Sequence, residues 1–512
     1  MRIGIDVGGT NTDAVLLDGD VLVAQTKQPT TADVTSGILS ALKAVLESKP
    51  ESASVEAVML GTTHFTNALL EHKQLSQAAT LRLCLPATTL LPPLTDWPDE
   101  LRTAIGGHAY LVHGGHEFDG REISPLDEEE IRQAARDMLN KGVRGVAVSG
   151  VFSPVDTSHE ERAGAIIREE SSELNVTLSS EIGRVGILER ENAATLNACL
   201  VDVAEQTINA IRKAISSLGL DVPLFLSQND GTLMDAEFAA SYPVFTIASG
   251  PTNSMRGAAF LSGVLDGVVV DIGGTSTDGG ALVSGFPREA SVAVNVGGVR
   301  TNFRMPDVFS IALGGGSIVQ TDPLQIGPGS VGYRLVEEGM VFGGNVLTTT
   351  DMAVVAGLAD IGNAGLASGV SKSLAETVIS EIQTRIEDVV DQLKLNAAPV
   401  PVILVGGGNI LAKDSLAGAS DVLRPEHAGV ANAIGAAIAQ VGGQVEKVYS
   451  LSDVSREEAL ASAKQEATDK TVGAGADPAT VEIVEVEEVP LAYLPSNAVR
   501  VRIKAVGNLA NL

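Results

Sequence analysis

The sequence has few cysteines and few aromatic residues for its length. Its 512 residues include two cysteines, Cys84 and Cys199, which are too few for a disulfide framework. Aromatic residues make up 3% of the chain, whereas glycine occurs 54 times. We therefore expect cores of Ala, Val, Leu and Ile around many tight turns, which is typical of an α/β enzyme and not of a disordered scaffold.

Positive charge is also scarce. Lys and Arg number 35 against 64 Asp and Glu, so the formal net charge is −29. Such a surface repels phosphate backbones, and nucleic-acid binding is not expected. The chain lacks an apolar run of roughly 18 residues, as a membrane span requires, and it opens on a strand pattern instead of a secretion signal. We expect a cytoplasmic protein that binds neither nucleic acid nor membrane.

One stretch occurs twice. Asp6-Val7-Gly8-Gly9-Thr10-Asn11-Thr12-Asp13 returns as Asp271-Ile272-Gly273-Gly274-Thr275-Ser276-Thr277-Asp278, and apolar runs flank both copies. Each copy predicts a strand, a glycine turn and a second strand. Glycine pairs allow backbone N–H groups to surround an anion, while the Asp and Thr residues supply ligands for hydrated Mg²⁺ and for phosphate oxygens. Two copies about half a chain apart predict a duplicated fold that closes on one nucleotide from two sides.

A third glycine motif follows a buried strand near the end of the second half. The sequence there is Gly406-Gly407-Gly408-Asn409. Residues without side chains allow a flat ring to lie against the backbone. We therefore predict that this motif faces the adenosine of a bound nucleotide.

A histidine cluster has two interpretations. His113, His116 and Asp119 lie close together in the sequence, and imidazole plus carboxylate suits Zn²⁺ or another divalent transition metal. The spacing matches no standard ligand motif, however, and in a strand His113 and His116 point to opposite faces. The alternatives are a second metal site and a solvated hairpin.

The glycine motifs together resemble the two phosphate hairpins and the adenosine motif of the actin, Hsp70 and sugar-kinase ATPase superfamily. More closely, the chain resembles the hydantoinase A/oxoprolinase family, including N-methylhydantoinase A-like members. Besides 271–278, the matching stretches are Gly61-Thr62-Thr63, Thr66-Asn67-Ala68-Leu69-Leu70-Glu71, Ser249-Gly250-Pro251 and Gly314-Gly315-Gly316-Ser317.

The resemblance implies an α/β fold of duplicated actin-like (ribonuclease H-like) ATPase domains around an interdomain nucleotide cleft. We predict the first domain at 1–200, with an inserted loop or hairpin near 85–120, and the second at 201–443. The sequence after residue 443 changes character and predicts a small α+β appendage at 444–512.

The resemblance also implies roles for the motif residues. Asp6 and Asp271 are predicted to organise Mg²⁺ and water, and Asp13 and Asp278 complete the catalytic carboxylates. The general base is open among Asp13, Asp230 and Asp278. The residues predicted to bind ATP are Gly8, Gly9, Thr10, Asn11, Gly273, Gly274, Thr275, Gly406, Gly407, Gly408 and Asn409.

The implied activity is the ATP-dependent opening of a cyclic amide such as hydantoin, N-methylhydantoin, 5-oxoproline or a lactam. Phosphorylation of the amide carbonyl oxygen activates an otherwise poor electrophile. A hydantoinase B-type partner subunit is implied as well, with the appendage as its docking element. A sugar or carboxylate kinase and a regulatory ATPase use the same hairpins and stay open as alternatives.

Overall fold

A computed structural model describes residues 1–30, 34–290, 293–452, 454–491 and 497–510. Within these ranges, no helix combines the length and the apolar composition that crossing a membrane requires. The strands, in chain order, are β1 (Arg2–Val7), β2 (Asn11–Asp18), β3 (Val21–Pro29), β4 (Ala57–Thr62), β5 (Ala78–Leu85), β6 (His108–His113), β7 (Gly145–Gly150), β8 (Asn175–Leu178), β9 (Leu224–Ser227), β10 (Leu233–Asp235), β11 (Gly267–Ile272), β12 (Thr277–Val283), β13 (Phe286–Pro287), β14 (Val294–Val296), β15 (Val299–Thr301), β16 (Val308–Ile311), β17 (Ser317–Thr321), β18 (Leu324–Ser330), β19 (Val400–Val405), β20 (Ala419–Leu423), β21 (Val441–Tyr449), β22 (Glu482–Pro490) and β23 (Val499–Gly507).

The helices alternate with these strands, as the sequence predicts for an α/β protein. Polar residues cap several of them: the Asp127 side chain accepts hydrogen bonds from two N–H groups at the start of α4, and Ser455 and Glu458 form a capping box on α13. The helices are α1 (Val34–Leu46), α2 (His64–Leu70), α3 (Asp99–Ala104), α4 (Glu128–Asn140), α5 (Ser158–Glu170), α6 (Ile187–Ser217), α7 (Ala236–Ser241), α8 (Ser249–Ser262), α9 (Leu335–Glu338), α10 (Thr349–Ala356), α11 (Lys372–Leu393), α12 (Ala431–Ile438) and α13 (Arg456–Gly473).

The largest sheet has the order β22-β23-β21-β10-β9-β4-β1-β2-β3. Its centre is apolar, because every residue of β4 and nearly all of β1 are buried. Strand β1 pairs antiparallel with β2, which sets Asp6 opposite Asp13, and parallel with β4, which sets Gly61 beside Asp6. The first repeated motif is therefore a hairpin close to one edge of this sheet, with only β3 beyond it.

A second sheet repeats this arrangement with β13-β12-β11-β19-β20, and β16 also pairs with β12. Strand β11 pairs antiparallel with β12, so that Asp271 lies opposite Asp278, and parallel with β19. A hairpin with a parallel neighbour on its first strand is thus present in both halves. The α/β class and the duplication predicted from the repeated motif are confirmed.

A third sheet with the order β6-β5-β7-β8 occupies residues 78–178, and all of its pairings are parallel. The segment near 85–120, predicted as an inserted loop or hairpin, is built differently. It contains a loop, helix α3 and strand β6, and β6 returns parallel to β5. A parallel return needs a long crossover, which the proline-rich loop and α3 supply.

The domain boundaries at residues 200 and 443 stay predictions, and the sheets join chain segments across both positions. Helix α6 runs through residue 200, and β9 and β10 pair within the first sheet. The C-terminal appendage consists of α13 with β21, β22 and β23, and these strands extend the first sheet beyond β10. The first sheet is therefore built from both ends of the chain.

Candidate nucleotide-binding site

The turns of the two hairpins meet. The Thr10 and Thr275 hydroxyl oxygens lie 3.4 Å apart, and a Cβ at Gly274 would lie 3.2 Å from Cγ2 of Thr10. Both turns close in the same way, because the Gly8 N–H donates to the Asn11 carbonyl and the Gly273 N–H donates to the Ser276 carbonyl, each at 2.9 Å. The structure thus brings together the two halves of the predicted phosphate site.

The turns present backbone donors. Among the described residues, none accepts a hydrogen bond from the N–H groups of Gly9, Thr10, Gly274 or Thr275. Gly9 is exposed, and a Cβ there would meet no atom within 4 Å. Free N–H groups beside open space are suited to the oxygens of a phosphate group.

Two asparagines hold the carboxylate of Asp6, which is 4% exposed. The Asn253 amide donates to Oδ1 at 3.2 Å, and the Asn432 amide donates to Oδ2 at 2.9 Å and to Asp13 Oδ2 at 3.0 Å. Burial raises the pKa of Asp6 to about 6, and the negative charge of Asp13 contributes to the rise. Burial also raises the pKa of Asp13.

Asp271 has an equivalent environment in the second half. It accepts a hydrogen bond from the Ser254 hydroxyl, and burial raises its pKa to about 6, with the charges of Asp278 and Asp6 adding to the effect. Asp278 accepts from Ser276 and Ser310, and its pKa is raised by burial. The carboxylates of the two hairpins are therefore close enough for the charge of Asp6 to raise the pKa of Asp271.

Helix α8 links the two hairpins, because its consecutive residues Asn253 and Ser254 contact Asp6 and Asp271. Close packing against α12 fixes its position. A Cβ at Gly257 would lie 1.8 Å from the Ala431 carbonyl oxygen, and a Cβ at Gly435 would lie 1.8 Å from the Asn253 carbonyl oxygen. These two glycines let the backbones of α8 and α12 touch.

One cation faces the carboxylates. Lys27 lies opposite Asp13 in the β2–β3 pairing, and its Nζ is 2.7 Å from that carboxylate. Its charge also opposes the rise in the pKa values of Asp6 and Asp271. Sequence reasoning missed Lys27 and Asn432, although a lysine opposite Asp13 follows from the β2–β3 register. Asn253 and Ser254 belong to the segment 248–254, which the sequence indicates as a source of donors to the cleft, without roles for the individual residues.

The third glycine motif lies beside the second hairpin. Gly406 has φ +83°, and a Cβ there would lie 2.2 Å from Asp271 Oδ1. The Gly408 N–H donates to the Ile272 carbonyl at 2.7 Å, whereas Gly407 is exposed and has no atom near its Cβ position. Gly406 and Gly408 therefore serve close packing, Gly407 presents the open backbone predicted for adenosine, and Asn409 begins a short 3-10 turn behind it.

Another glycine loop supports the second turn. The N–H groups of Gly315 and Gly316 donate to the carbonyls of Gly273 and Gly274, at 3.0 and 2.7 Å. These donors are already used. The loop at 314–316 thus shapes the second hairpin instead of offering its own donors to a ligand.

The residues present fit Mg²⁺ with a nucleotide. Four carboxylates with raised pKa values lie around the two turns, and a divalent cation would compensate their desolvated charge. The Asn253 Oδ1 atom is buried and accepts no hydrogen bond from any described residue. Mg²⁺ bound with a nucleotide needs only one or two carboxylates from the protein, because water and substrate phosphates complete its coordination.

The second metal site predicted at His113, His116 and Asp119 is not supported. His113 contacts Glu130 at 2.9 Å, His116 packs against His159 with ring centroids 4.3 Å apart, and Asp119 pairs with Arg121. Across the described ranges, no three His, Cys, Asp or Glu side chains converge as a metal ion requires. The side chains of a strand and its following turn point apart, so closeness in sequence did not bring the three together.

Asp230 is unsuited to the role of a general base. Although burial alone would raise its pKa, the Lys504 ammonium at 3.0 Å and the Arg304 guanidinium at 2.8 Å hold the pKa well below its usual range. A carboxylate this stabilised does not readily take up a proton. Its contacts instead join β23 of the appendage to the loop after β9.

The sequence matches two family descriptions. Residues 2–171 match "Hydantoinase/oxoprolinase N-terminal region", and residues 190–369 match "Hydantoinase/oxoprolinase".

Known relatives extend these matches. The acetophenone carboxylase gamma subunit of Aromatoleum aromaticum is 29% identical over 393 residues, which cover 69% of this chain and 53% of the relative. The caprolactamase subunit alpha of Pseudomonas jessenii is 28% identical over 432 residues, which cover 76% of this chain and 58% of the relative. The matched part of the chain thus spans little more than half of these proteins.

The fold is also that of a solved structure. The crystal structure of the ATP-dependent caprolactamase from Pseudomonas jessenii superposes with a TM-score of 0.75 at 22% identity, over all of this chain and 88% of that chain.

Proposed function

This chain belongs to the hydantoinase/oxoprolinase family, and on that basis we propose that it binds Mg·ATP between its two hairpins and transfers the γ-phosphoryl group to a carbonyl oxygen. The observation that carries the proposal is the meeting of the two turns at Thr10 and Thr275, with carboxylates from both halves behind them. A duplicated site of this kind can hold one triphosphate from two sides.

In this proposal each part of the site has a role. The free N–H groups of the turns bind phosphate oxygens, and the Thr10 and Thr275 hydroxyls lie close enough to donate as well. Lys27 contributes the positive charge that a polyanion needs in a protein of net charge −29. The open backbone at Gly407 faces the adenosine.

Asp6 and Asp271 organise the metal. Mg²⁺ supplies charge neutralisation of the transferring phosphoryl group. Asn253, Asn432 and Ser254 hold the two carboxylates in place from α8 and α12. Because these donors lie on two touching helices, the carboxylates of both halves are positioned by one rigid unit.

The acceptor in the proposal is the carbonyl oxygen of a cyclic amide. Phosphorylation makes the carbonyl carbon open to attack by water, and the ring C–N bond of the resulting adduct then breaks, which leaves an acyl phosphate and a ring nitrogen that takes up a proton. A second water hydrolyses the acyl phosphate to the carboxylate and phosphate. The support for this substrate class is the relative named caprolactamase. Both relatives are named as subunits, so the proposal includes a hydantoinase B-type or other partner subunit. The appendage at 444–512 is its proposed docking element. The proposed domain boundaries lie near residues 200 and 443.

A second candidate acceptor is a ketone. The relative named acetophenone carboxylase is as similar to this chain as the caprolactamase subunit is. Phosphorylation of an enol oxygen would use the same nucleotide site. In both candidates the phosphoryl group goes to an oxygen derived from a carbonyl group. The atom next to the carbonyl carbon is nitrogen in the cyclic amide and carbon in the ketone.

A screen of ADP formation tests the proposal. The chain is assayed with Mg·ATP, alone and with a hydantoinase B-type subunit, against hydantoin, N-methylhydantoin, 5-oxoproline and caprolactam, and in a second arm against acetophenone with bicarbonate. We expect one class of acceptor to raise the rate by about tenfold or more. A stable phosphorylated product without free phosphate would identify a kinase, and ATP turnover that ignores every acceptor would identify a regulatory ATPase.

A further inference from the structure

His64 differs from the other histidines of the chain. Its ring has no hydrogen-bond or charged partner among the described residues, and it is partly buried. The other six each lie near a carboxylate: His72 near Glu100, His108 near Asp137, His113 near Glu130, His116 near Asp156, His159 near Glu122 and His427 near Glu426. An imidazole without such a partner keeps both ring nitrogens available to a ligand.

The fold places His64 beside the first hairpin. It begins α2, with one residue between it and the end of β4, at the carboxyl edge of the first sheet, where the β1–β4 pairing sets Thr62 next to Val7. The Thr63 N–H and hydroxyl both donate to the Val7 carbonyl, at 3.3 and 3.2 Å. Thr63, the residue before His64, is therefore tied to the strand that leads into the Gly8-Gly9 turn.

The start of α8 contacts the two residues that precede His64. The Ser249 hydroxyl donates to the Thr62 carbonyl at 3.4 Å, and a Cβ at Gly250 would lie 3.8 Å from Cγ2 of Thr63. Ligands of open α/β sheets bind at the carboxyl ends of the strands. The position between hairpin and α8 is thus on the side from which an acceptor can approach the phosphate site.

Transfer of a phosphoryl group to an amide carbonyl oxygen releases a proton. The bond between the γ-phosphorus and the bridging oxygen of ATP breaks, a bond forms from the γ-phosphorus to the carbonyl oxygen, and the amide nitrogen loses its proton. The products are ADP, an imidate phosphate and that proton. A ketone converted to its enol phosphate loses a proton from carbon in the same way, so either acceptor needs a base next to the carbonyl.

We infer that His64 is this base: its imidazole takes the proton from the atom next to the acceptor carbonyl as the oxygen is phosphorylated. The inference rests on the proposed function, because it assigns the acceptor side of the same cleft. The ring is not preoccupied by a carboxylate, and burial lowers its pKa, which keeps it neutral and able to accept a proton at pH 7.

The carboxylates considered as bases are already engaged. Asp13 pairs with Lys27 and accepts from Asn432. Asp278 accepts from two serine hydroxyls, and Asp230 lies between two cations. His64 is the titratable side chain near the first hairpin that no such partner occupies within the described residues.

The test uses the full chain with Mg·ATP and the acceptor that stimulates the wild type best. His64→Ala should bind Mg·ATP within about twofold of the wild type but lose about 10²- to 10⁴-fold in acceptor-dependent kcat. Added imidazole should restore part of that rate, and more at pH 8 than at pH 6, because the neutral ring is the base. His64→Gln, whose side chain fills the space of the imidazole ring, should be as slow as His64→Ala and should not be rescued by added imidazole. It replaces His64→Ala in the rate measurement if the Ala variant does not fold.

His72→Ala is the matched control, since it removes a histidine eight positions away that is paired with Glu100. It should behave as the wild type. If the acceptor stimulates the wild type and His64→Ala equally, the assignment of His64 is overturned while the proposed function stands. A folded but slow His64→Ala that imidazole does not rescue overturns the assignment as well. If no cyclic amide or ketone stimulates the wild type, the proposed function fails and the assignment falls with it.

Discussion

The hydroxyl oxygens of Thr10 and Thr275 lie 3.4 Å apart, although 265 positions separate the two residues in the chain. Each belongs to a glycine turn that opens on free backbone N–H groups, and each turn is followed by a carboxylate opposite a second carboxylate. The contact therefore defines where the duplicated halves converge. The predictions below treat this place as the nucleotide site.

The second hairpin is expected to be as necessary for nucleotide binding as the first. Asp271→Asn keeps the shape of the side chain but removes its charge, and we expect the affinity for Mg·ATP to fall by about 10- to 100-fold, as for other changes around a bound metal. Isothermal titration measures this. Asp266→Asn, just before β11, should bind as the wild type does; unchanged binding by Asp271→Asn would remove the second hairpin from the site.

Lys27 is expected to attract the triphosphate. Lys27→Met should weaken ATP binding by about tenfold at low salt, and the difference should shrink as ionic strength rises because screening weakens the contribution of the charge. Lys27→Arg should retain most of the affinity. The exposed Lys43 provides the control substitution Lys43→Met. A salt-independent loss would point to a structural role for the Lys27–Asp13 pair instead.

The contact between α8 and α12 is expected to be intolerant of a single methyl group. Gly257→Ala places a Cβ 1.8 Å from the Ala431 carbonyl oxygen, so the helices must separate at a cost of about 1–3 kcal/mol. Thermal unfolding should shift to lower temperature, and Mg·ATP binding should weaken because Asn253 and Ser254 move with α8. Gly429→Ala, where no atom lies within 4 Å of the new Cβ, should change neither property.

The metal-free protein is expected to be less stable above pH 6, because two buried carboxyl groups are then charged. The pKa values of Asp6 and Asp271 rise from 3.8 to about 6 on folding, so the folded state binds more protons than the unfolded state between these values. The contribution of the two groups to stability is therefore present at low pH and is lost as the pH rises through 6.

Thermal unfolding of the double variant Asp6→Asn/Asp271→Asn checks this direction of the pH dependence of stability. In EDTA, the double variant should gain stability relative to the wild type as the pH is raised from 5 to 7.5. Added Mg²⁺ should then stabilise the wild type more at pH 7.5 than at pH 5. It should not stabilise the double variant at either pH. A difference that does not change with pH would show that the two carboxyl groups ionise normally in the folded protein.

The fold was largely predictable because its signal is local and repeated. The pattern of apolar strand, Gly-Gly turn and apolar strand is complete within residues 3–17 and again within 268–283, and the antiparallel registers follow from it. A helix from about Glu189 to Leu218 is predicted by its acidic start and its apolar spacing, and it exists as α6 (Ile187–Ser217). It packs against β7 and α1 and also against α7 and β15.

The supporting residues of the site could not be predicted, since they come from distant parts of the chain. Asn432 reaches Asp6 across 426 positions, and Asn253 does so across 247. Asn432 lies in none of the glycine motifs, and Asn253 lies two positions after the Ser249-Gly250-Pro251 stretch without a role that the stretch alone specifies. The helices that carry them approach most closely at Gly257 and Gly435. The metal prediction for His113, His116 and Asp119 failed for the converse reason: neighbours in sequence separate when a strand directs their side chains apart.

The most direct test of the central claim is the stoichiometry of the coupled reaction. ADP and ring-opened product are counted together when the chain, with its partner subunit present, turns over a stimulating cyclic amide. The account predicts one ADP for each ring opened, and no ring opening when ATP is replaced by a non-hydrolysable analogue. Ring opening without ATP, or ADP formation that proceeds at the same rate with and without the amide, would contradict it.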